Sequence, residues 1–492
     1  MSVTTSYRPR DGAPAGRVED SNPEQVAAAV DRAVRAAAAV GGVSPARRGE
    51  WLDRLASTLL QHRDELAEIA DQETALGLPR LTGEVERMAA QIRFYAEVAV
   101  EGSYLGVAID TAPGLVRVNQ PLGPVAVFGA SNFPFAFGVL GNDTASALAA
   151  GCPVVAKAHP AHPLLSERLA DIARTALAGA GAPDGAFGLV RGMQAGTDLV
   201  RSAGITAVGF TGSQNGGLAL WRLANEREVV IPVYAEMGTV NPVVLTPAGA
   251  AARATEVAAG YVASFTLGSG QFCTKPGLLL APAGAGVAEA VGEALTTASP
   301  QPVMLTQGIA EAARVGVGAL VGAGAEVVAT AAGTGHGWSA DAVVLRAPIA
   351  AIHADSRLVE ECFGPVALVV EYASERELRD VLGRLQGSLA GAVFTDGTTS
   401  DADAAWLVPA LAGQVGRVTV DEWPTGVAWT WAQQHGGPWP ATSRPESTSV
   451  GAAALARWVR PVAYQGVAEA WLPAAGRAAN PWGVPQRVDG TR

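Results

Sequence analysis

Charge is scarce in this sequence. Asp, Glu, Lys and Arg supply 16% of its 492 residues, against roughly 25% in ordinary soluble domains, while hydrophobic residues supply 49%. A chain so poor in charge and rich in apolar side chains does not stay disordered in water. No glycine triplet repeats, so the 58 glycines build no collagen-like helix. A basic stripe is missing too: the densest basic run is Ala46-Arg47-Arg48, and the formal charge is −11. Nucleic acids and anionic membrane surfaces are therefore not expected partners. Three cysteines, Cys152, Cys273 and Cys362, are too few and odd in number for a disulfide framework, which suits a reducing cytoplasm. The N-terminal residues lack the apolar core of a signal peptide. The uncharged stretches 118–142 and 257–274 are broken by three prolines and four glycines in the first and three glycines in the second. They read as buried backbone rather than membrane spans. The expectation is a soluble, cytoplasmic protein long enough for about two to four folding units.

What is present is an alternation of helices and strands. Asn22-Pro23 and Ser44-Pro45 are helix starts, a capping side chain followed by Pro at the first helical position. Trp51, Leu52, Leu55, Leu59 and Leu60 recur at helical spacing, and 84–100 is a further helix. From Pro124 onward, short apolar strands (124–128, 153–157, 186–190, 207–210) alternate with helices (164–178, 197–203, 217–224). This pattern predicts βαβ units in a doubly wound parallel sheet, with ligands at the carboxyl ends of the strands. A second α/β series runs from about 241 to 427, and a strand is expected at 458–464.

Several segments could carry chemistry. In Gly268-Ser269-Gly270-Gln271-Phe272-Cys273-Thr274-Lys275-Pro276-Gly277 a thiol sits on a glycine-rich loop, where backbone N–H groups can favour a thiolate. Read alone, the segment fits a buried apolar thiol equally well; Cys152 and Cys362 read as that inert type. Glu236 lies among apolar residues at a strand-to-turn junction, where burial would make it a general base, although a salt-bridged sheet-end Glu would look the same. Phe210-Thr211-Gly212-Ser213-Gln214-Asn215-Gly216-Gly217 joins a strand to a helix and could admit a pyrophosphate, yet the G-x-G-x-x-G spacing is absent and such a loop is usually only a turn. Lys157 ends a strand and could reach a ribose or phosphate oxygen.

Taken in order, Asn132-Phe133-Pro134, Val154-Val155-Ala156-Lys157, Phe210-Thr211-Gly212-Ser213, Glu236-Met237-Gly238, Gly270-Gln271-Phe272-Cys273 and Glu361-Cys362-Phe363-Gly364-Pro365 resemble the aldehyde dehydrogenase superfamily over nearly the whole chain. Four finer features resemble its α-ketoglutaric semialdehyde (2,5-dioxovalerate) dehydrogenase branch: 157–163, 232–238, His435-Gly436-Gly437-Pro438 with Pro440-Ala441-Thr442, and 447–451. The resemblance implies an α/β fold of two doubly wound domains plus a small β oligomerisation arm. Residues 1–102 and 122–238 would bind the dinucleotide, 239–445 would be catalytic, and 103–121 with 446–492 would form the arm of a homodimer or homotetramer.

By the same resemblance, Cys273 is the nucleophile that forms a thiohemiacetal and then a thioester. Asn132 and the Cys273 backbone N–H form the oxyanion hole, and Glu236 activates the hydrolytic water. Lys157 and Glu361 would hold the adenosine and nicotinamide riboses, Phe363 would pack near the nicotinamide, and Ser213 would contact the pyrophosphate. Gly212 and Gly217 would permit close backbone approach, and no metal is implied. One departure concerns the cofactor. NAD-selective members carry a Glu three residues after the lysine, but here Pro160 stands there with His159 beside it, so NADP is expected, with NAD as a second acceptor. Arg191 is a candidate phosphate partner, and Arg93 and Arg444 are candidates for a distal substrate carboxylate. Trp423, Trp429 and Trp431 could wall the substrate tunnel. The expected reaction is oxidation of a small semialdehyde to its carboxylate, with α-ketoglutaric semialdehyde giving 2-oxoglutarate. The alternatives are a broad NADP-linked fatty or aromatic aldehyde dehydrogenase and a catalytically silent dinucleotide-binding protein.

Overall fold

Asn22 and Ser44 begin helices Pro23–Gly42 and Pro45–Gln61 as the capping pattern requires: Asn22 accepts from the Gln25 N–H in a full capping box, and Ser44 accepts from the Arg47 N–H. Each cap is worth about 1 kcal/mol. In this computed structural model, which describes residues 2–354 and 356–491, Pro45–Gln61 packs with Leu78–Glu101 and Pro163–Gly179 over a five-stranded sheet, and Pro23–Gly42 packs with Met193–Arg201 against strands Phe187–Val190 and Val154–Lys157. Residues 1 and 492, the outermost positions of the expected first and last segments, lie outside the described residues.

The five strands run in the order Phe187–Val190, Val154–Lys157, Val125–Phe128, Ala207–Gly212, Val233–Met237, and every pairing is parallel. Sequence order therefore reverses across Val125–Phe128, which opens a crevice at the carboxyl edge of the sheet. Lys157, Gly212 and Glu236 all stand at that edge. A second sheet of seven strands spans residues 242–420, parallel except for the antiparallel edge strand Glu326–Ala331. Its inner strands are apolar on both faces, as sheets covered on both sides must be.

A four-stranded sheet joins Val459–Gln465, Leu115–Pro121, Val107–Asp110 and Gln486–Val488. The expected strand at 458–464 starts one residue later. Trp458 instead closes the turn Ala452–Trp458 and is buried, its indole N–H donating to Ser146 Oγ at 2.8 Å. The sequence reading passed over the N-terminal hairpin Val3–Tyr7 with Pro14–Glu19. Its polar, half-exposed residues carry little apolar alternation, and it is held instead by Ser6 Oγ donating to the buried Glu73 carboxylate at 2.6 Å.

Candidate active site

The helix Pro247–Thr266 ends in a tight turn whose residues Gly268, Ser269 and Gly270 all have positive φ (56°, 61° and 69°). A side chain at Gly270 would meet the Gly364 carbonyl carbon at 2.3 Å, so this loop and the 361–365 loop can touch only through glycine. Gln271 is buried and fixes the turn, its Oε1 accepting the Leu305 N–H at 2.9 Å. From the other side Asn241, itself at φ 51°, donates its amide to the carbonyls of Cys273 (2.8 Å) and Lys275 (3.1 Å). Lys275 is buried and donates to the carbonyls of Cys362 (2.7 Å) and Val366 (2.8 Å). The thiol loop is thus tied to the segment that follows the Glu236 strand and to the loop bearing Glu361.

Glu236 lies near the end of strand Val233–Met237 and is 3% exposed. The segment 441–443 extends that sheet edge: Met237 N–H donates to Ala441 O at 2.8 Å, and Ser443 Oγ donates to Val233 O at 2.6 Å. The same segment carries the chain back towards His435, which is 1% exposed and whose backbone is held by Thr448 and Ser449. The three late motifs singled out in the sequence thus have one structural result: they seat an imidazole beside Glu236. His435 Nε2 lies 3.6 Å from Cys273 Sγ and 3.4 Å from Glu236 Oε2. The sulfur, a ring nitrogen and a carboxylate oxygen of these residues all fall within 4.8 Å of one another. Neither Glu236 oxygen has a hydrogen-bond partner among the described residues. Burial, and then the charges of Glu236 and Glu361, push the Cys273 thiol well above its ordinary range. At rest it is a thiol, and a nearby base is needed to activate it.

Asn132 approaches the same loop. It is buried, and its Nδ2 donates to Gln271 O at 2.7 Å, while its own carbonyl accepts from Arg80 at 2.7 Å. One amide hydrogen of Asn132 remains, and the Cys273 N–H lies beside its own sulfur. Arg80, Glu84 and Arg87 share one face of helix Leu78–Glu101. Glu84 accepts the Phe135 and Ala136 N–H groups at 3.0 Å each. Arg87 lies over Phe133, Phe137 and Trp429 and donates to Val427 O at 2.8 Å, while its buried Nε has no partner. Burial lowers its pKa, and the charges of Glu84 and then Cys273 oppose that shift; Arg417 is lowered by burial and opposed by Cys273 in the same way.

The cations expected from the sequence are elsewhere. Arg93, on the helix that bears Arg87, pairs with Asp53 at 2.8 Å and Ser57 at 2.9 Å on the outer surface. Arg444 is exposed beside Glu446 at 3.6 Å. Neither is brought to the thiol, because six residues along a helix turn Arg93 about 120° away from the face that carries Arg87. Among the tryptophans, Trp429 stands at Arg87, Trp423 packs against Phe394 and Tyr261, and Trp431 is largely exposed.

The crevice at the sheet edge gathers the remaining candidates. Ser213 caps helix Gln214–Asn225 by accepting the Gly216 N–H. Gly212 and Gly217 also leave room for protein side chains. A side chain at Gly212 would meet the Phe210 ring at 2.7 Å, and one at Gly217 would meet Met237 Sδ at 2.6 Å. Glu361 is held near Gly238, where a side chain would meet its carboxylate at 2.5 Å. Its Oε1 lacks a partner, and burial raises its pKa to about 7. An unpaired buried acceptor of this kind fits a ligand hydroxyl such as a ribose. Phe363 is half-buried two residues on.

Lys157, Pro160, Arg191 and Met193 line one cavity. Burial lowers the Lys157 pKa to about 8, and Asp20 opposes the shift. Arg191 pairs with Glu167 at 2.8 Å and leaves its buried Nε unpartnered. His159 is not a third cation. Burial, His162 and Lys157 push its pKa well below the ordinary value, and its Nδ1 accepts the Ala161 N–H at 3.1 Å. Cys152 is buried with its pKa pushed up to about 11.

No described helix is long and apolar enough to cross a membrane. A profile of the aldehyde dehydrogenase family matches residues 2–438. Alpha-ketoglutaric semialdehyde dehydrogenase 2 of Azospirillum brasilense is 43% identical over 460 residues, covering 90% of this chain and 87% of that one. Alpha-ketoglutaric semialdehyde dehydrogenase of Acinetobacter baylyi is 39% identical over 466 residues, with the same 90% and 87% coverage. Among solved structures, PnpE in complex with nicotinamide adenine dinucleotide superposes with a TM-score of 0.79 over 95% of both chains at 21% identity. That likeness concerns the fold.

Proposed function

The chain belongs to the aldehyde dehydrogenase family, and from that premise we propose that it oxidises α-ketoglutaric semialdehyde to 2-oxoglutarate, with NADP as the preferred acceptor and NAD as the second. The observation that carries this reading is the cluster of Cys273, Glu236 and His435 within 4.8 Å. The Cys273 thiol gives its proton to His435 Nε2, and Sγ bonds to the aldehyde carbon. The resulting oxyanion takes hydrogen bonds from the Cys273 N–H and the free amide hydrogen of Asn132; fixed donors of this kind contribute ~3–4 kcal/mol each. When bound, NAD(P)⁺ supplies the acceptor for the aldehyde hydrogen. Cys273 then retains the acyl group as a thioester, and Glu236 takes a proton from the attacking water. The C–S bond breaks, Sγ recovers its proton from His435, the product leaves as the carboxylate, and its acid proton and the one held by Glu236 pass to solvent.

Lys157, Ser213 and Glu361 would hold the ribose and phosphate groups, with Phe363 beside the nicotinamide. Two cations and no Glu at position 160 suit a 2′-phosphate. Lys157 is charged below its pKa of about 8 and neutral above it, so attraction for that phosphate weakens as pH rises. The KM for NADP should climb above pH 8, by at most about tenfold per unit, and the KM for NAD should climb less. Parallel curves for the two dinucleotides would remove Lys157 from phosphate recognition.

The distal carboxylate of the substrate meets Arg87, a desolvated guanidinium with an N–H to spare and an aromatic wall around it. A charge-assisted pair is worth about 1.5–3 kcal/mol, so Arg87→Met should raise the KM for the semialdehyde about 10- to 100-fold. A neutral aldehyde of the same length should change by only a few-fold, and Arg87→Lys should recover part of the loss. An aldehyde panel assayed with both dinucleotides tests the whole reading. The highest kcat/KM is expected for α-ketoglutaric semialdehyde, and no NAD(P)H formed from any short semialdehyde would overturn it.

The same reading keeps the domain division expected from sequence: 1–102 and 122–238 for the dinucleotide, 239–445 for catalysis, and 103–121 with 446–492 for assembly. Strand Val459–Gln465 pairs on one side only, and its open edge suits a homodimer or homotetramer. A cytoplasmic setting would keep Cys273 reduced.

A further inference from the structure

The residues of the reaction cluster are also a set of metal ligands. Zn²⁺ binds sulfur at about 2.3 Å, imidazole nitrogen at about 2.0–2.1 Å and carboxylate oxygen at about 2.0–2.2 Å in tetrahedral geometry. Those bond lengths place S about 3.6 Å from both N and O, and N and O about 3.4 Å apart, so the sulfur and the carboxylate oxygen, within 4.8 Å of each other, need approach by no more than about 1.2 Å. The structure already holds Sγ of Cys273 and Nε2 of His435 at 3.6 Å, and Nε2 and Oε2 of Glu236 at 3.4 Å. All three ligand atoms lie within 4.8 Å of one another. Glu236 and His435 are 3% and 1% exposed, and both Glu236 oxygens lack hydrogen-bond partners among the described residues. A buried carboxylate whose nearest polar neighbour is the His435 ring nitrogen at 3.4 Å has lone pairs left for a cation. No other group of three metal-ligating side chains of this kind lies among the described residues.

We propose that Cys273, His435 and Glu236 bind one Zn²⁺ per subunit and that the ion reversibly silences the enzyme. Binding forms an Sγ–Zn bond as the thiol releases its proton to solvent. His435 ligates through the Nε2 lone pair, Glu236 ligates as a carboxylate, and water takes the fourth position. No electron is transferred. The mixed sulfur, nitrogen and oxygen set selects zinc over Mg²⁺ and Ca²⁺, which prefer all-oxygen shells. The silencing rests on the roles proposed above for Cys273 and Glu236; the binding itself does not.

The test titrates untagged, chelator-dialysed protein with ZnCl₂ against a chromophoric chelator, without substrate. One zinc per subunit is expected, and Cys273→Ser and His435→Asn should each weaken binding at least about 100-fold. Zinc should also inhibit NADPH formation, EDTA should restore it, and MgCl₂ should have no effect. Zinc held equally well by His435→Asn, or less than half a zinc per subunit in the native protein, would overturn the site. Should a variant not fold, CoCl₂ bound to the native protein decides the matter. Thiolate-to-cobalt charge transfer with intense tetrahedral visible bands supports the site, and weak octahedral bands contradict it. Metal-free protein that bound zinc but oxidised no aldehyde would refute the proposed function alone.

Discussion

Cys273→Ala is expected to lower aldehyde-dependent NADPH formation by about 10⁴-fold or more. Every other group in the cluster acts on what the sulfur does. His435 at 3.6 Å has no second thiol to deprotonate, and the Asn132 and Cys273 N–H donors stabilise an oxyanion that forms only when Sγ adds to the carbonyl. Cys152 cannot substitute, since it is fully buried and its Sγ contacts the Trp458 carbonyl at 3.2 Å. Cys362 directs its sulfur at the Ala313 carbonyl, 3.9 Å away. The side chain removed is small and half-buried, so the melting transition should move by no more than about 1 kcal/mol in stability. NADP binding, followed by fluorescence, should persist. Residual turnover within tenfold of the native enzyme would assign the chemistry to another group.

Glu236→Gln should separate the two halves of the reaction. Acylation of Cys273 needs the thiol proton to reach His435, which the variant retains, whereas release of the acyl group needs a base for water, which it lacks. The expected trace is a burst of about one NADPH per active site, followed by a steady rate about 10²- to 10³-fold below native. Stability provides an independent readout. The native carboxylate is 3% exposed with both oxygens unpartnered, a costly arrangement kept for function. The isosteric amide keeps the side chain's shape and replaces one unpartnered carboxylate oxygen, so the melting temperature should hold or rise. A variant with no burst and a lowered melting temperature would make Glu236 a structural residue instead.

The sequence made legible what depends on local pattern. Apolar runs and Gly-Pro punctuation gave the two α/β series, and the order of the motifs gave Cys273, Glu236 and Asn132, which the fold gathers around one loop. The features it missed depend on the relation between distant segments. His435 lies far along the chain from Cys273, on a loop without periodicity, and only the pairing of 441–443 with strand Val233–Met237 brings it to Glu236. Arg87 and Arg93 belong to one helix, and their roles divide by helical phase, which depends on the packing of that helix against the 132–137 loop. His159, beside Pro160 in the expected cofactor site, is held neutral by burial, which its position in the sequence does not show. That Gly212 and Gly217 leave room for Phe210 and Met237 also depends on contacts the motif does not show.

The central claim is that the acyl group passes through a covalent bond to one sulfur. Glu236→Gln protein mixed with NADP and α-ketoglutaric semialdehyde, quenched in acid and digested, puts that claim directly to peptide mass spectrometry. The account predicts an acyl adduct on the peptide containing Cys273, in amount equal to the NADPH formed, and released by hydroxylamine as a thioester would be. NADPH formed with that peptide unmodified, or an adduct confined to Cys152 or Cys362, would contradict it.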